Sequence, residues 1–150
     1  MAEVWFYHLT DSTLEGVLPD LLERSLSRGW RAVIQAGAEE RRDALDSHLW
    51  TYRDRSFLAH GTDREPHVEH QPIVLTTGPA NPNGATVRFM VDGAGPTPHM
   101  DDYERIVFMF DGHDADQLSA ARVEWKRLKT SGVAVSYWRQ NEGGRWEKQA

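Results

Sequence analysis

The sequence predicts an α/β fold with a mostly parallel β-sheet. Short apolar segments alternate with amphipathic ones: a strand at 4–9, a helix from residue 12, a strand at 30–36 and a helix at 38–50. This alternation with tight connections is typical of βαβ units, in which a helix joins two parallel strands. The length of 150 residues suits one domain with a sizeable core. We place that domain at residues 1–142.

The first strand and helix are predicted from local pattern. Residues 4–9 form an apolar and aromatic run without polar alternation, as in a strand buried on both faces. Residues 12–15 have the capping-box pattern of a helix start. A stripe of leucines at helical spacing follows, and Arg28 with Gly29 closes the helix. Pro19 interrupts the stripe, so we expect a kink or a restart there.

The middle of the chain is less regular. Residues 52–71 lack periodicity and carry many charges, which predicts a polar loop around one apolar island. Residues 73–76 and 85–91 have the composition of strands, whereas 92–102 is rich in glycine and proline and predicts an exposed loop. The helix that precedes this region has an expected inner face made of Ala44, Leu45, His48 and Leu49.

The final third predicts a strand, a helix and another strand. Residues 105–110 are apolar, and residues 114–131 have acidic residues near the start and cations toward the end, as the helix dipole favours. Residues 133–137 then alternate as a strand. Residues 143–150 begin with two glycines and are expected to be a frayed tail.

A row of cations runs along the last helix. Arg122, Lys126 and Lys129 are three and four residues apart, so they lie on one side of the helix and form a basic stripe. This stripe borders an apolar face and could hold a partner that carries carboxylates and a hydrophobic side chain. The alternative is a solvated face that only keeps the helix soluble. The apolar face consists of Leu118, Ala121, Trp125 and Leu128.

Composition excludes several function classes. The net charge is −6, from 17 Lys and Arg against 23 Asp and Glu, which disfavours broad contact with a phosphate backbone. The chain has no cysteine, so disulfides and thiolate metal sites are excluded. No segment is long and apolar enough to span a bilayer, and the N-terminus lacks the features of a signal peptide. We therefore expect a cytoplasmic protein that does not bind membranes.

The chemistry of a nucleotide site is missing where this fold usually has it. The turn after the first strand, residues 9–13, has no glycine, and Asp11 would repel a phosphate. There is no P-loop sequence either. We expect no catalytic residue and no cofactor or metal. The alternative is a nucleotide- or phosphate-using enzyme with a site near Asp111.

That alternative depends on an acidic cluster. Asp111, His113, Asp114 and Asp116 lie together before the last helix. Such residues can bind a metal ion, but no cysteine or paired ligand motif accompanies them. Their simpler role is to cap the N-terminus of the helix that starts there.

The six tryptophans divide into two groups. Trp5, Trp30 and Trp125 fall within predicted elements and are most simply core residues. Trp50 and Phe57 flank the polar loop, where solvent is near. Exposed aromatic side chains on a loop indicate a partner surface, with core packing as the alternative.

Three parts of the chain together resemble one family. They are Phe-Tyr-His-Leu at 6–9, Leu-Trp at 49–50 followed by Ser-Phe-Leu-Ala-His at 56–60, and Arg122 with Lys126 on the last helix. In this order they resemble the chi subunit of the bacterial DNA polymerase III holoenzyme. The resemblance covers nearly the whole chain. It implies a Rossmann-like three-layer domain with helices on both faces and no nucleotide site.

The resemblance also implies a function. Chi proteins are non-catalytic members of the clamp-loader assembly, and they bind the acidic C-terminal tail of single-stranded-DNA-binding protein, which ends in Asp, Pro and Phe. Arg122 and Lys126 match the basic positions for that tail, and Lys129 falls near another. Val133, Val135 and Tyr137 would then wall the pocket for the phenylalanine.

A second partner is implied by the aromatic block. Trp50, Phe57 and His60 match the positions with which chi proteins hold the psi subunit or, depending on lineage, a helicase. The leading hypothesis is thus an adaptor in DNA replication that reaches DNA only indirectly. Direct binding of single-stranded DNA through the basic stripe and tryptophans is a further hypothesis, which the acidic net charge disfavours.

Overall fold

A computed structural model gives the structure of residues 2–51, 58–95 and 100–150. Single-turn 3-10 helices lie at Val68–His70 and Met100–Asp102. The other elements, in chain order, are β1 (Glu3–Leu9), α1 (Leu14–Ser27), β2 (Ala32–Ala36), α2 (Glu39–Thr51), β3 (His60–Thr62), β4 (Ile73–Thr76), β5 (Val87–Val91), β6 (Arg105–Asp111), α3 (Ala115–Thr130), β7 (Val135–Gln140) and β8 (Trp146–Lys148).

The described residues form one eight-stranded sheet with the order β3-β4-β2-β5-β6-β1-β7-β8. All neighbouring pairs are parallel except β7 and β8. At the centre, β1 pairs with β6 along its whole length, from Glu3 opposite Arg105 to Leu9 opposite Asp111. The prediction of an α/β fold with a mostly parallel sheet is confirmed.

The sheet separates two apolar cores. On one face, α1 and α2 cover a core that includes Ile34 and Phe89. On the other face, α3 covers a core that includes Phe6, Phe108 and Phe110. Strands β2, β4 and β5 are buried at every position, which explains why their sequences are apolar throughout instead of alternating. Helices therefore lie on both faces, as expected of a three-layer domain.

Helix α1 passes through Pro19 without interruption. Because proline has no backbone N–H, the carbonyl group of Glu15, four residues earlier, lacks its donor within the helix. The Nε2 atom of His48, on α2, lies 2.7 Å from that carbonyl oxygen. The expected restart at Pro19 is wrong, and a side chain of the neighbouring helix satisfies the carbonyl that Pro19 leaves unpaired.

The inner face of α2 differs from the prediction at one position. Leu45 and Leu49 are buried as expected, but Ala44 is exposed. Arg42 takes part in the buried face instead, with 2% of its surface exposed. Its guanidinium group stays ion-paired, with Nη1 3.2 Å from the carboxylate of Asp63. Burial of a charged residue is possible here because it has an ionic partner.

The two edge strands, β3 and β8, are not anticipated by the sequence. Strand β3 lies within the segment predicted to be a loop and pairs with β4. Strand β8 lies in the segment expected to be a frayed tail, and it pairs with β7. The pairing continues beyond β8, because the N–H of Gln149 donates to Tyr137 at 2.7 Å and that of Tyr137 donates to Ala150 at 3.2 Å. The last residues are thus part of the sheet edge.

Of the three tryptophans predicted as core residues, Trp125 is only partly buried and packs against the core under α3. Trp5 and Trp30 are also only partly buried, and they pack against the core on the opposite face. They line a cleft of about 790 Å³ between α1 and strands β1, β5 and β6. The guanidinium carbon of Arg105 lies 3.7 Å from the ring centroid of Trp5, and that of Arg28 lies 4.1 Å from Trp30. Stacked arginines therefore cover indole surface that the core leaves open.

Candidate functional site

Helix α3 positions the cations that the sequence singles out. Asp114 caps its N-terminus, because the Asp114 carboxylate accepts hydrogen bonds from the N–H groups of Asp116 at 3.0 Å and Gln117 at 3.1 Å. Ala121 and Leu128 anchor the helix in the core below it. The cap and the anchors fix the helix in rotation and along its axis, so that its remaining sides face β7 and solvent.

A cavity of about 500 Å³ lies where α3 meets β6 and β7. We call it the α3–β7 cavity. It combines an apolar interior with cations from the helix, and it lies on the face of the sheet that α3 covers. Its lining consists of Phe110, Leu118, Ala121, Arg122, Trp125, Lys126, Tyr137 and Ala150.

Three aromatic rings shape the interior of the α3–β7 cavity. Trp125 and Tyr137 meet edge to face, with ring centroids 5.8 Å apart and an interplanar angle of 89°. Phe110 lies 6.0 Å from Tyr137 and is 2% exposed. Aromatic pairs favour such perpendicular or tilted contacts, and a further ring could join them in the same way.

Arg122 and Lys126 stand one helical turn apart on α3, and both are exposed. Within residues 2–51, 58–95 and 100–150, neither of them forms an ion pair. Their charged groups are therefore available to carboxylates of a ligand, and their aliphatic stems can cover part of its apolar surface.

The other three residues predicted for this site do not line the cavity. Lys129 contacts one of the lining residues instead, with its ammonium nitrogen 5.6 Å from the ring centroid of Trp125. Val133 and Val135 are half-buried and pack against the core beneath α3. The structure thus brings together Arg122, Lys126 and Tyr137 of the predicted set, and it adds Phe110, Leu118, Ala121, Trp125 and Ala150.

His8 is a residue of this region that the sequence did not single out as a site residue. It faces Phe110 across the β1–β6 pair, and its Nδ1 is hydrogen-bonded to the hydroxyl of Tyr137. The signal was present in the sequence, since His8 continues the period-two row of Val4 and Phe6, which face the core. A polar residue in such a row needs a partner.

The aromatic block on α2 forms a separate surface. Trp50 is 51% exposed, and its ring centroid lies 4.3 Å from that of His60. His60 is 3% exposed, with Nδ1 2.6 Å from the carbonyl oxygen of Leu58 and Nε2 3.0 Å from that of Asp46. Phe57, the third predicted member, lies outside the described residues. Since α2 and α3 cover opposite faces, this surface is remote from the α3–β7 cavity.

Comparison with known families identifies the chain. A model of the family described as "DNA polymerase III chi subunit, HolC" matches residues 1–136. The chain belongs to the chi family of DNA polymerase III subunits. The resemblance inferred from the residues is therefore confirmed at the level of the family.

A relative of this chi-family chain is a "Probable DNA polymerase III subunit chi" of Rickettsia prowazekii (strain Madrid E). The two are 28% identical over 91 residues, which make up 61% of this chain. The match spans 55% of the relative, so it covers about half the length of that protein. In the described part of the chi-family chain, none of the helices has the length and apolarity needed to cross a membrane.

The carboxyl end of β1 in this chi-family chain is acidic. A cavity of about 290 Å³ opens there, lined by the carboxylates of Asp11, Glu15, Asp92 and Asp111. Arg41 joins two of them, since it pairs with Glu15 and lies 3.0 Å from Asp92. Burial raises the pKa of the Asp92 carboxyl, even though Arg41 donates a hydrogen bond to it. Because the cavity has four carboxylates against the one cation of Arg41, its charge opposes the binding of a phosphate.

The acidic cluster before α3 has the capping role that was its simpler interpretation. Asp114 is the N-cap, and the carboxylate of Asp111 accepts a hydrogen bond from the N–H of His113 at 2.9 Å. Across the described ranges 2–51, 58–95 and 100–150, no three histidines or acidic residues are grouped in a way that could hold a metal ion.

Proposed function

We propose that this chain is a non-catalytic accessory subunit of DNA polymerase III. It would link the clamp-loader complex of the holoenzyme to the C-terminal tail of single-stranded-DNA-binding protein, and so reach DNA only indirectly. Membership of the chi family supports the polymerase role. The observation that carries the tail-binding role is the α3–β7 cavity, an aromatic-lined space with Arg122 and Lys126 at its mouth.

The chemistry of such a tail is complementary to this cavity. A terminal phenylalanine would bury its ring among Phe110, Trp125 and Tyr137, where edge-to-face contacts add to the gain from burial. The terminal carboxylate and the aspartates would accept charge-assisted hydrogen bonds from Arg122 and Lys126. The C-terminal end of the tail thus matches both the aromatic interior of the cavity and the cations at its mouth.

The charge distribution of the whole chain supports a peptide over a nucleic acid. The net charge of −6 repels an extended polyanion, whereas a short acidic peptide needs only one local basic site. The contact is small and partly exposed. We therefore expect modest affinity that falls as salt increases.

The function is tested by titrating the protein with a labelled peptide that ends in Asp-Pro-Phe. A matched peptide ending in Asp-Pro-Ala keeps the charges and removes the ring, and an amidated peptide keeps the ring and removes the terminal charge. Binding of the first peptide with clear loss in both controls supports the proposal. Equal binding of all three, or none, contradicts it.

The surface on α2 is proposed as the site of a second protein partner, the psi subunit or a helicase, through Trp50 with His60 behind it, and through Phe57 of the sequence prediction. A half-exposed tryptophan in tilted ring contact with a buried, hydrogen-bonded histidine supports this role, because exposed tryptophans held in place are typical anchors of protein interfaces. The two partners would then bind to opposite faces of the sheet.

A further inference from the structure

His8 lies directly behind the aromatic wall of the α3–β7 cavity. Its ring centroid is 5.0 Å from that of Phe110 and 5.8 Å from that of Tyr137, and both of these residues line the cavity. Its Nδ1 is hydrogen-bonded to the Tyr137 hydroxyl. The imidazole therefore touches two of the three rings of the cavity without itself being part of the lining.

The space for this imidazole is closely fitted. A Cβ atom at Gly112, the residue after β6, would lie 2.0 Å from His8 Nε2. The glycine also donates its N–H to the carbonyl of Leu9 at 2.7 Å, so the turn is held against the end of β1. The ring is thus confined between the Gly112 backbone and the rings of Phe110 and Tyr137.

We propose that His8 is a positioning residue of the α3–β7 cavity, which holds the Tyr137 ring in place by its hydrogen bond to the hydroxyl and couples ligand binding to pH. This inference rests on the proposed binding of an acidic, phenylalanine-ended tail. Tyr137 is half-buried on β7, and its contact with Trp125 depends on the orientation of its ring. An aromatic side chain entering the cavity would pack against that ring.

The hydrogen bond persists in both protonation states of His8. In the neutral imidazole Nδ1 can accept from the Tyr137 hydroxyl, and in the imidazolium the Nδ1–H can donate to the hydroxyl oxygen. The positioning role therefore does not depend on pH. What changes with pH is the charge behind the cavity wall.

The charged groups around His8 determine the direction of that change. They are Arg139 on β7, His113 after β6, Arg122 on α3 and Asp111 at the end of β6. Burial and the first three groups lower the pKa of the His8 imidazole, whereas Asp111 raises it. Carboxylates of a bound tail would offset Arg122 and raise this pKa again, so binding takes up a proton. Affinity for the tail should then increase as the pH falls through the range where His8 titrates.

The test measures binding of a labelled Asp-Pro-Phe peptide at about pH 7.5 and about pH 6, where histidines change charge. His8→Phe keeps a ring and removes the nitrogen, and Tyr137→Phe removes the hydroxyl. His8→Asn retains a polar group near the position of Nδ1 but cannot titrate. His113→Gln is the control for the neighbouring histidine.

We expect His8→Phe and Tyr137→Phe each to weaken binding about two- to tenfold, because a Tyr137 ring that is no longer held must be ordered when the ligand binds. The double variant should be no weaker than either single one, because both remove the same bond. His8→Asn should bind nearly as the wild type at the higher pH and lose the gain at the lower pH. His113→Gln should keep most of that gain.

Additive losses in the double variant, or wild-type affinity in a folded His8→Phe protein, would overturn the positioning role. Retention of the full gain at the lower pH by His8→Asn would overturn the coupling to pH. The thermal midpoint identifies any variant that fails to fold. If His8→Phe fails to fold, Tyr137→Phe, which removes only the hydroxyl oxygen, tests the positioning role. If the wild-type protein does not bind the peptide, the proposed function fails and this inference with it.

Discussion

Arg122 and Lys126 have different chemistry at the mouth of the α3–β7 cavity. Arginine offers a planar fork of donors that matches a carboxylate in two places, whereas lysine is a compact and mobile charge. Arg122 also contributes to the field at His8. Arg122 is therefore expected to matter more for recognition, and Lys126 more for the attraction of the acidic tail.

Arg122→Ala should weaken binding of the Asp-Pro-Phe peptide about ten- to hundredfold, as the loss of one charge-assisted contact of about 1.5–3 kcal/mol implies. The matched control is Arg127→Ala on the same helix. Arg127 pairs with Glu124 and is not part of the cavity lining, so its loss should leave peptide affinity nearly unchanged. Titration at low salt distinguishes the two variants. Equal affinity of Arg122→Ala and wild type would place the tail site elsewhere.

The sequence predicts the residues on the helix better than their neighbours in space. Helical spacing places Arg122 and Lys126 on one side of α3, but it groups Lys129 with them, and Lys129 does not line the cavity. Among the strand residues, Tyr137 is predicted through the family resemblance, whereas Phe110 and His8 are not. These three residues come from different strands, and they meet only because β1 lies between β6 and β7. That order depends on tertiary pairing, which local periodicity does not encode.

Among the elements, α1 and α2 illustrate how one residue compensates for another. Pro19 leaves the Glu15 carbonyl without its helical donor, and His48 of α2 bonds to that oxygen. The proline and the histidine therefore act as a pair. Local sequence predicts a kink or a restart at Pro19, but not the side chain of the next helix that bonds to the carbonyl Pro19 leaves unpaired.

His48→Leu should lower the free energy of unfolding by about 1–2 kcal/mol, because it leaves a half-buried carbonyl unpaired. In a Pro19→Ala background, the new backbone N–H at position 19 can bond to Glu15, so the same change should cost clearly less. Urea unfolding of the wild type, His48→Leu, Pro19→Ala and the double variant gives the coupling free energy between positions 19 and 48. Identical losses in both backgrounds would show that His48 acts through packing alone.

The Trp50 and His60 pair of α2 and β3 should separate function from stability. Trp50→Ala removes a half-exposed ring and should lower the free energy of unfolding by less than about 1 kcal/mol. His60→Ala removes a buried group with two hydrogen-bond partners and should cost about 1–3 kcal/mol.

Trp50→Ala should also spare binding of the tail peptide while it reduces capture of the second protein partner. Calorimetry gives the thermal midpoints, and peptide titration gives the first affinity. A fall of many degrees for Trp50→Ala would make Trp50 a core residue and remove the case for a second surface.

The helices and strands that the sequence predicts correctly are those with enough residues to show a periodic or apolar pattern. The long helix α3 and the apolar strands β1, β2, β4, β5 and β6 follow from periodicity and composition, with ends shifted by one or two residues. Strands β3 and β8 have only three residues each, too few for a pattern, and they form because a neighbouring strand offers an unpaired edge. Arg42 is buried on α2 because it has Asp63 as a partner, which a hydrophobicity pattern does not anticipate.

At the scale of the whole molecule, the parallel sheet has the shape of nucleotide-binding folds but an acidic carboxyl edge. Ligands of such sheets usually bind where the carboxyl ends of the strands open. Here Asp11, Glu15, Asp92 and Asp111 line that place. Coulomb repulsion of about 1–4 kcal/mol for each like-charged pair at 4 Å disfavours a phosphate there.

Calorimetric titration with ATP, NAD and their magnesium complexes should therefore give no saturable binding at micromolar concentration. Asp11→Arg, which reverses one of the four charges, is a useful comparison, since any weak binding should increase in this variant. Tight binding by the wild-type protein that is lost on Asp11→Arg would contradict the adaptor function and favour the enzyme alternative.

The position of Ala150 affects how this protein should be handled. Because Ala150 lines the α3–β7 cavity and pairs with Tyr137, a purification tag or fluorescent fusion attached after it would emerge at the mouth of that cavity. An acidic or aromatic tag would compete there with any ligand, and a capture experiment would then miss the partner it was designed to find. A fusion joined ahead of β1 begins beside Glu3. The end of β1 that lies near the cavity is the opposite one, at His8, so such a fusion leaves the cavity accessible.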